Sequence, residues 1–94
     1  MTILGADKLA AFKKRHPEAR ASLGKWESVV TKATWKNIAE LKNFFNSADY
    51  VRGLTVFDIG GNKYRMIAIV QYETGLVIVK DMLTHEEYDR GGWK

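Results

Sequence analysis

The 94-residue sequence has no cysteine, one proline and two histidines. Without cysteine there is no disulfide and no thiolate nucleophile, although that absence does not identify a compartment. The two histidines, His16 and His85, lie far apart. His85-Glu86-Glu87-Tyr88-Asp89 offers no second histidine at helical spacing, so no metal-ligand set stands out and no cofactor is called for. No serine stands in a nucleophile-elbow context, and no helix is expected to follow Gly60-Gly61, which argues against a phosphate-binding loop. No apolar run approaches the roughly 20 residues of a membrane span. The opening stretch MTILGADKLAAFKKR lacks the apolar centre of a secretory signal. A cytoplasmic protein without membrane contact is the expectation. Repeats, low-complexity segments and linkers are also missing.

What is present suits one small domain over residues 1–94, long enough for a single core. Hydrophobic residues make up 46% and charged residues 28%, an ordinary globular balance. Fifteen Lys and Arg face eleven Asp and Glu, a formal net charge of +4. That surplus fits an anionic partner, nucleic acid or acidic protein, and equally fits a merely basic soluble protein.

The chain is organised around residues 54–88. Three β-branched, apolar runs, Leu54–Ile59, Tyr64–Tyr72 and Leu76–Leu83, are separated by Gly60-Gly61-Asn62 and Glu73-Thr74-Gly75. Glycine and asparagine tolerate positive φ, so both gaps predict hairpin turns and the three runs an antiparallel meander. The middle run is apolar at odd and even positions alike, which places it centrally beneath covering helices. A two-residue turn at Thr74-Gly75 would set Ile69 opposite Lys80, Ile67 opposite Met82 and Arg65 opposite Thr84. Arg65, Ile67 and Ile69 would then share a face with Lys80 and Met82.

Upstream, Thr2–Leu4 suits an edge strand. A helix is expected over Ala6–Arg15, with Ala6, Leu9, Ala10 and Lys13 on one face and Phe12 beside them. Pro17 should open a second helix bearing the stripe Ala19, Leu23, Trp26, Val29, Val30 and Ala33. A third is expected from Trp35 to about Phe45 behind a Thr34 cap, with Ile38, Leu41, Phe44 and Phe45 inward. Thr84 and Glu87 have capping-box spacing for a short last helix to about Arg90. Gly91-Gly92 would end it and leave Trp93-Lys94 as a free or loosely docked tail. Helices followed by a meander make an α+β fold.

The register gathers Asn62, Lys63, Arg65, His85 and Tyr88 at one rim, with Lys80 further along. Such a set suits RNA cleavage by the RNA's own 2′-hydroxyl, which needs a proton acceptor, a cation for charge developing on phosphate oxygens, and a donor for the leaving 5′ oxygen. A histidine can serve as acid or base. Arg65 offers a fork that matches phosphate. Lys63 and Lys80 add charge, and Tyr88 can relay a proton or stack on a base. Each residue also has a purely structural use. Arg65 can pair with Asp58, His85 can start a helix, Lys80 can pair with Asp81 or Glu73, and Tyr88 can cover the core. Glu86, Glu87 and Asp89 read as a solvated helix face.

At these residues a family resemblance becomes specific. TVFDIGGNKYRMIAIV, the strand ending in Lys80, and MLTHEEYD resemble the HigB-type toxins of the RelE superfamily, as do KATWKNIAELKNFFNSADYV and the Gly-Gly-Trp-Lys ending. The resemblance covers nearly the whole chain. It implies a RelE-like fold, with N-terminal helices packed on a small antiparallel sheet and a short C-terminal helix. It implies a type II toxin: an endoribonuclease that cuts translated messenger RNA on the ribosome, without a metal or other cofactor. It also implies neutralisation by a HigA-type helix-turn-helix antitoxin, with DNA bound only through that partner. The family's catalytic roles fall on Arg65, Lys80, His85 and Tyr88, with Lys63 and Asn62 as RNA-binding residues. A catalytically inactive basic module that binds an antitoxin or ribosomal RNA is the alternative.

Overall fold

The computed structural model describes residues 1–93, so Lys94, half of the expected tail, lies outside the described residues. The order of elements is β1 (Thr2–Leu4), α1 (Ala6–Arg15), a 3-10 turn (Pro17–Ala19), α2 (Arg20–Lys32), α3 (Ile38–Lys42), β2 (Asp49–Val51), β3 (Leu54–Ile59), β4 (Tyr64–Gln71), β5 (Leu76–Thr84) and α4 (His85–Asp89). The fold is α+β, as expected. The strands form one sheet in the spatial order β1-β5-β4-β3-β2, with β4 at its centre. The expected meander is antiparallel throughout, but β1 joins β5 in parallel, so the whole sheet is mixed.

The sheet is helix-covered on one face because the apolar stripes of α1 and α2 must be buried there. Leu9 and Phe12 come from α1; Leu23, Trp26 and Val30 come from α2. They meet Phe57, Ile59, Met66, Ala68, Val77, Val79 and Met82 of the sheet in one cluster. Trp26 and Phe45 each approach Phe57 edge-on, at 5.4 and 5.2 Å between ring centroids. Ala6 and Ala10 were expected inward but face solvent, since Leu9 and Phe12 alone fill the narrow contact α1 makes. Lys13 instead reaches Glu27 at 2.6 Å and ties α1 to α2. Close approach of the chain to β5 explains Gly5. Its φ is +88°, and a Cβ there would stand 2.7 Å from the Val79 carbonyl oxygen.

Three expectations need correction. The third helix is shorter than the pattern Trp35–Phe45 suggested. It begins at Ile38, and its cap is Asn37, whose side chain accepts from the Glu40 N–H at 3.0 Å, rather than Thr34. Trp35 is buried from the preceding loop. The β4–β5 connection is a four-residue loop, residues 72–75, with Gln71 opposite Leu76. Ile69 therefore faces Ile78 rather than Lys80, and the loop together with the bulge described next sets Arg65 opposite Leu83 rather than Thr84. Finally, β5 carries a bulge. Ala68 pairs with Val79 and Ile67 with Asp81, so Lys80 is an extra residue without a partner on β4. The bulge shifts the alternation, and Met82 lies opposite Met66 under the helices instead of beside Arg65.

Candidate active site at the rim of the open face

The rim is built by two chain reversals at the same end of the sheet. The β3–β4 hairpin turns through residues 60–63, where Gly60 and Gly61 take φ of +64° and +68°. β5 runs out at Thr84, opposite Tyr64, directly into α4. Thr84 accepts from the Glu87 N–H at 3.2 Å, and Glu87 accepts from the Thr84 N–H at 2.9 Å, closing the expected capping box. The Thr84 N–H bond, followed by the Thr84 hydroxyl, holds the Glu87 carboxyl below the usual carboxylate range. The His85 N–H donates to the Lys63 carbonyl at 3.1 Å, which fastens the start of α4 to the hairpin turn.

Arg65 sits at the centre of this rim with its side chain 11% exposed. Its position follows from the register, since Asp58 lies directly opposite on β3. Nε meets Asp58 Oδ1 at 3.1 Å, Nη2 donates to Asn62 Oδ1 at 2.8 Å, and Nη1 donates to the Tyr64 carbonyl at 3.2 Å. The Tyr88 ring lies beneath the guanidinium, 5.5 Å from Cζ to centroid. Each nitrogen thus has one contact. One further N–H on each of Nη1 and Nη2 enters none of these contacts.

His85 is half exposed, and its Nδ1 meets Asp89 Oδ2 at 2.8 Å, one helical turn on. That contact occupies Nδ1 and leaves Nε2 as the other ring nitrogen. Burial, with Asp49 next, raises the Tyr88 phenol above its ordinary value, and Arg65 only partly opposes them. The phenol is therefore protonated at neutral pH. Trp93 stacks on Tyr88 with centroids 4.8 Å apart and donates its indole N–H to the Tyr88 carbonyl at 2.9 Å.

The structure thus brings together Asn62, Lys63, Arg65, His85 and Tyr88. Lys63 is exposed beside the turn. Asn62, expected to contact RNA, is occupied in holding Arg65. Lys80 stands apart. Leu83 is the residue opposite Arg65, and Lys80 lies three residues back, roughly 10 Å along the strand at 3.3 Å per residue. Its carbonyl accepts from Lys8 Nζ at 2.9 Å, and its side chain pairs with neither Asp81 nor Glu73. Two contacts go beyond the sequence reading. Asp89 lies on the solvated helix face as expected, 59% exposed, yet also pairs with His85, a contact its i,i+4 spacing allows. Trp93, expected in a free or loosely docked tail, is docked on Tyr88.

Residues 19–91 match the family described as HigB toxin, the RelE-like toxic component of a toxin–antitoxin system. Similar curated proteins include the mRNA interferase toxin HigB of Escherichia coli strain K12, 30% identical over 79 residues, which cover 81% of this chain and 76% of that protein. The mRNA interferase HigB of Shigella flexneri matches to the same extent.

Proposed function

The chain belongs to the HigB toxin family, the RelE-like toxic components of toxin–antitoxin systems, and from that premise we propose that it is an endoribonuclease that cuts translated messenger RNA on the ribosome. The observation that carries this reading is Arg65. Its guanidinium is held on three sides at one rim, with two N–H groups left over and His85 and Tyr88 on the adjoining helix.

The chemistry follows from those groups. His85 Nε2 takes the 2′-hydroxyl proton, while Asp89 on Nδ1 fixes the ring and stabilises the imidazolium that forms. The 2′ oxygen bonds to phosphorus, and the bond from phosphorus to the 5′ oxygen breaks. Arg65 donates to the phosphate oxygens as their charge grows. Tyr88, kept protonated by burial, gives its proton to the leaving 5′ oxygen. Lys63 holds the backbone by charge. Lys80, distant from Arg65, serves RNA or ribosome contact rather than the reacting phosphate. The mechanism asks for no metal or other cofactor. The protein works in the cytoplasm, and a HigA-type helix-turn-helix antitoxin neutralises it and supplies any contact with DNA.

The competing reading, an inactive basic module, draws on the pairing of Arg65 with Asp58, which gives the arginine a structural use. Single-turnover cleavage on programmed ribosomes separates the two. Arg65→Ala should lose on the order of 10²-fold or more once bound, and His85→Ala about 10²–10⁴-fold. Tyr88→Phe should be slow on ordinary RNA and recover on RNA with a 5′-bridging sulfur, a leaving group that needs no proton. Wild-type rates for both Arg65→Ala and His85→Ala would leave the binding module as the function.

A further inference from the structure

Two hollows run along the outer side of α2 and reach the rim only at the Gly60-Gly61 turn. The larger, about 510 Å³, is lined by Val29, Ala33, Trp35 and Phe44 among others, the smaller, about 290 Å³, by Trp26, Phe44, Phe45 and Ile59. They share Val29 and Phe44, so they form one groove. From Ser22 to Lys32 it follows roughly 15 Å of helix at 1.5 Å per residue. Phe44 stands at its middle, 64% exposed, with its ring 5.7 Å from Trp35.

A lone exposed phenylalanine means little, but this one sits where the core is incompletely satisfied. The indole N–H groups of Trp26 and Trp35 are buried without a hydrogen-bond partner among the described residues, and each tryptophan lines one hollow. The charge balance of the groove is also uneven. Of its acidic residues, Glu40 accepts the Lys36 N–H and Asp58 is paired with Arg65. Lys25 and Lys32, which line the same groove, enter no ion pair among the described residues. With Asp58 paired to Arg65, two lysines stand against the carboxylate of Glu40, whose charge the neutral Lys36 N–H does not cancel, so the balance is one positive charge.

We propose that this α2–α3 groove is the docking site for the antitoxin, through a short amphipathic helix whose apolar side chains straddle Phe44 and whose flanks are acidic. The inference rests on the toxin–antitoxin reading above. A helix laid in a groove with anchors one and two turns apart matches the length, the apolar floor and the lysines at the margin. The small end of the groove meets Gly60 and Gly61, so the occupant abuts the turn that carries Asn62 while leaving Arg65 itself uncovered.

The test uses the full-length toxin in its Arg65→Ala form, which can be produced without arresting the host. The candidates are the products of the reading frames that flank the toxin gene, and the probe is the one that relieves growth arrest by the wild-type toxin. Phe44→Asp changes an exposed side chain and should fold normally by circular dichroism, yet bind at least 100-fold more weakly. Lys25→Glu with Lys32→Glu should slow association about tenfold at low salt and little at high salt. Hydrogen exchange should show protection over residues 22–45. Binding of folded Phe44→Asp within threefold of the parent, or protection confined to residues 58–65 and 84–90, overturns the groove. Absence of any antitoxin that binds the parent overturns the toxin–antitoxin pairing itself, a separate failure.

Discussion

The two faces of the sheet are built on different principles. Beneath the helices lie Phe57, Met66, Ala68, Val79 and Met82, and the buried polar residue from β3 on that side is Thr55. On the open face Val56 and Ile67 are just as buried, but the row ends in Asp58 and Arg65, whose guanidinium lies over the Tyr88 ring. The covered face needs only apolar side chains of the right volume. The open face holds charge in place with an ion pair, an amide and an aromatic ring, each aimed by backbone register. The first arrangement tolerates approximate fit, and the second fails if a single partner moves.

Substitutions should separate the two. Phe57→Ala would open a cavity under Trp26 and Phe45 and cost about 3–5 kcal/mol in urea unfolding, while folded protein still cleaves at a near-normal single-turnover rate. A loss of cleavage in the folded fraction would mean that the faces are coupled. Asp58→Ala should reverse the pattern. It leaves a mostly buried guanidinium without its carboxylate, for about 2–3 kcal/mol of stability, and lets Arg65 swing, so the bound-state rate falls with it. Arg65→Lys should rescue little of an Arg65→Ala defect, because an ammonium cannot meet Asp58, Asn62 and the Tyr64 carbonyl at once.

The smallest effect belongs to α4. Glu87→Ala removes one half of the capping box, worth about 1 kcal/mol, and should raise amide exchange over 85–89 with little effect elsewhere. Because the folded Glu87 carboxyl is held below its ordinary value, this contribution is complete above that value. It is lost as pH falls through the depressed one. Acid should therefore loosen α4 in the parent protein and add little in Glu87→Ala, which exchange measured across the acid range would check.

The covered face was readable from sequence because volume and period carry it. Leu23, Trp26 and Val30 announce their stripe, and a middle strand apolar in both phases can only be central. The rim was readable for a different reason. The Gly60-Gly61 turn and the Thr84 cap fix the same end of the sheet, so Arg65, His85 and Tyr88 converge even when the pairing is shifted by one residue. What escaped was the bulge. An inserted residue has no signature in composition, and it alone decides that Met82 points inward and that Lys80 has no neighbour across the strand. The start of α3 escaped because Thr34 and Asn37 are both competent caps. Burial of Trp35 from the loop selected the later one.

The tryptophans give the molecule an optical vocabulary. The chain has three: Trp26 is sealed against Phe57, Trp35 floors the groove beside Phe44, and Trp93 is stacked on Tyr88 next to Arg65. With phenylalanine at the other two positions, each remaining indole emits from one location. Trp93 would report any change at its stack on Tyr88 beside Arg65. Trp35 would respond to a helix laid over Phe44. Trp26, which lines the smaller hollow, would respond to the same helix and change most when the chain unfolds, so the rim could be followed at Trp93 and the groove at Trp35 and Trp26.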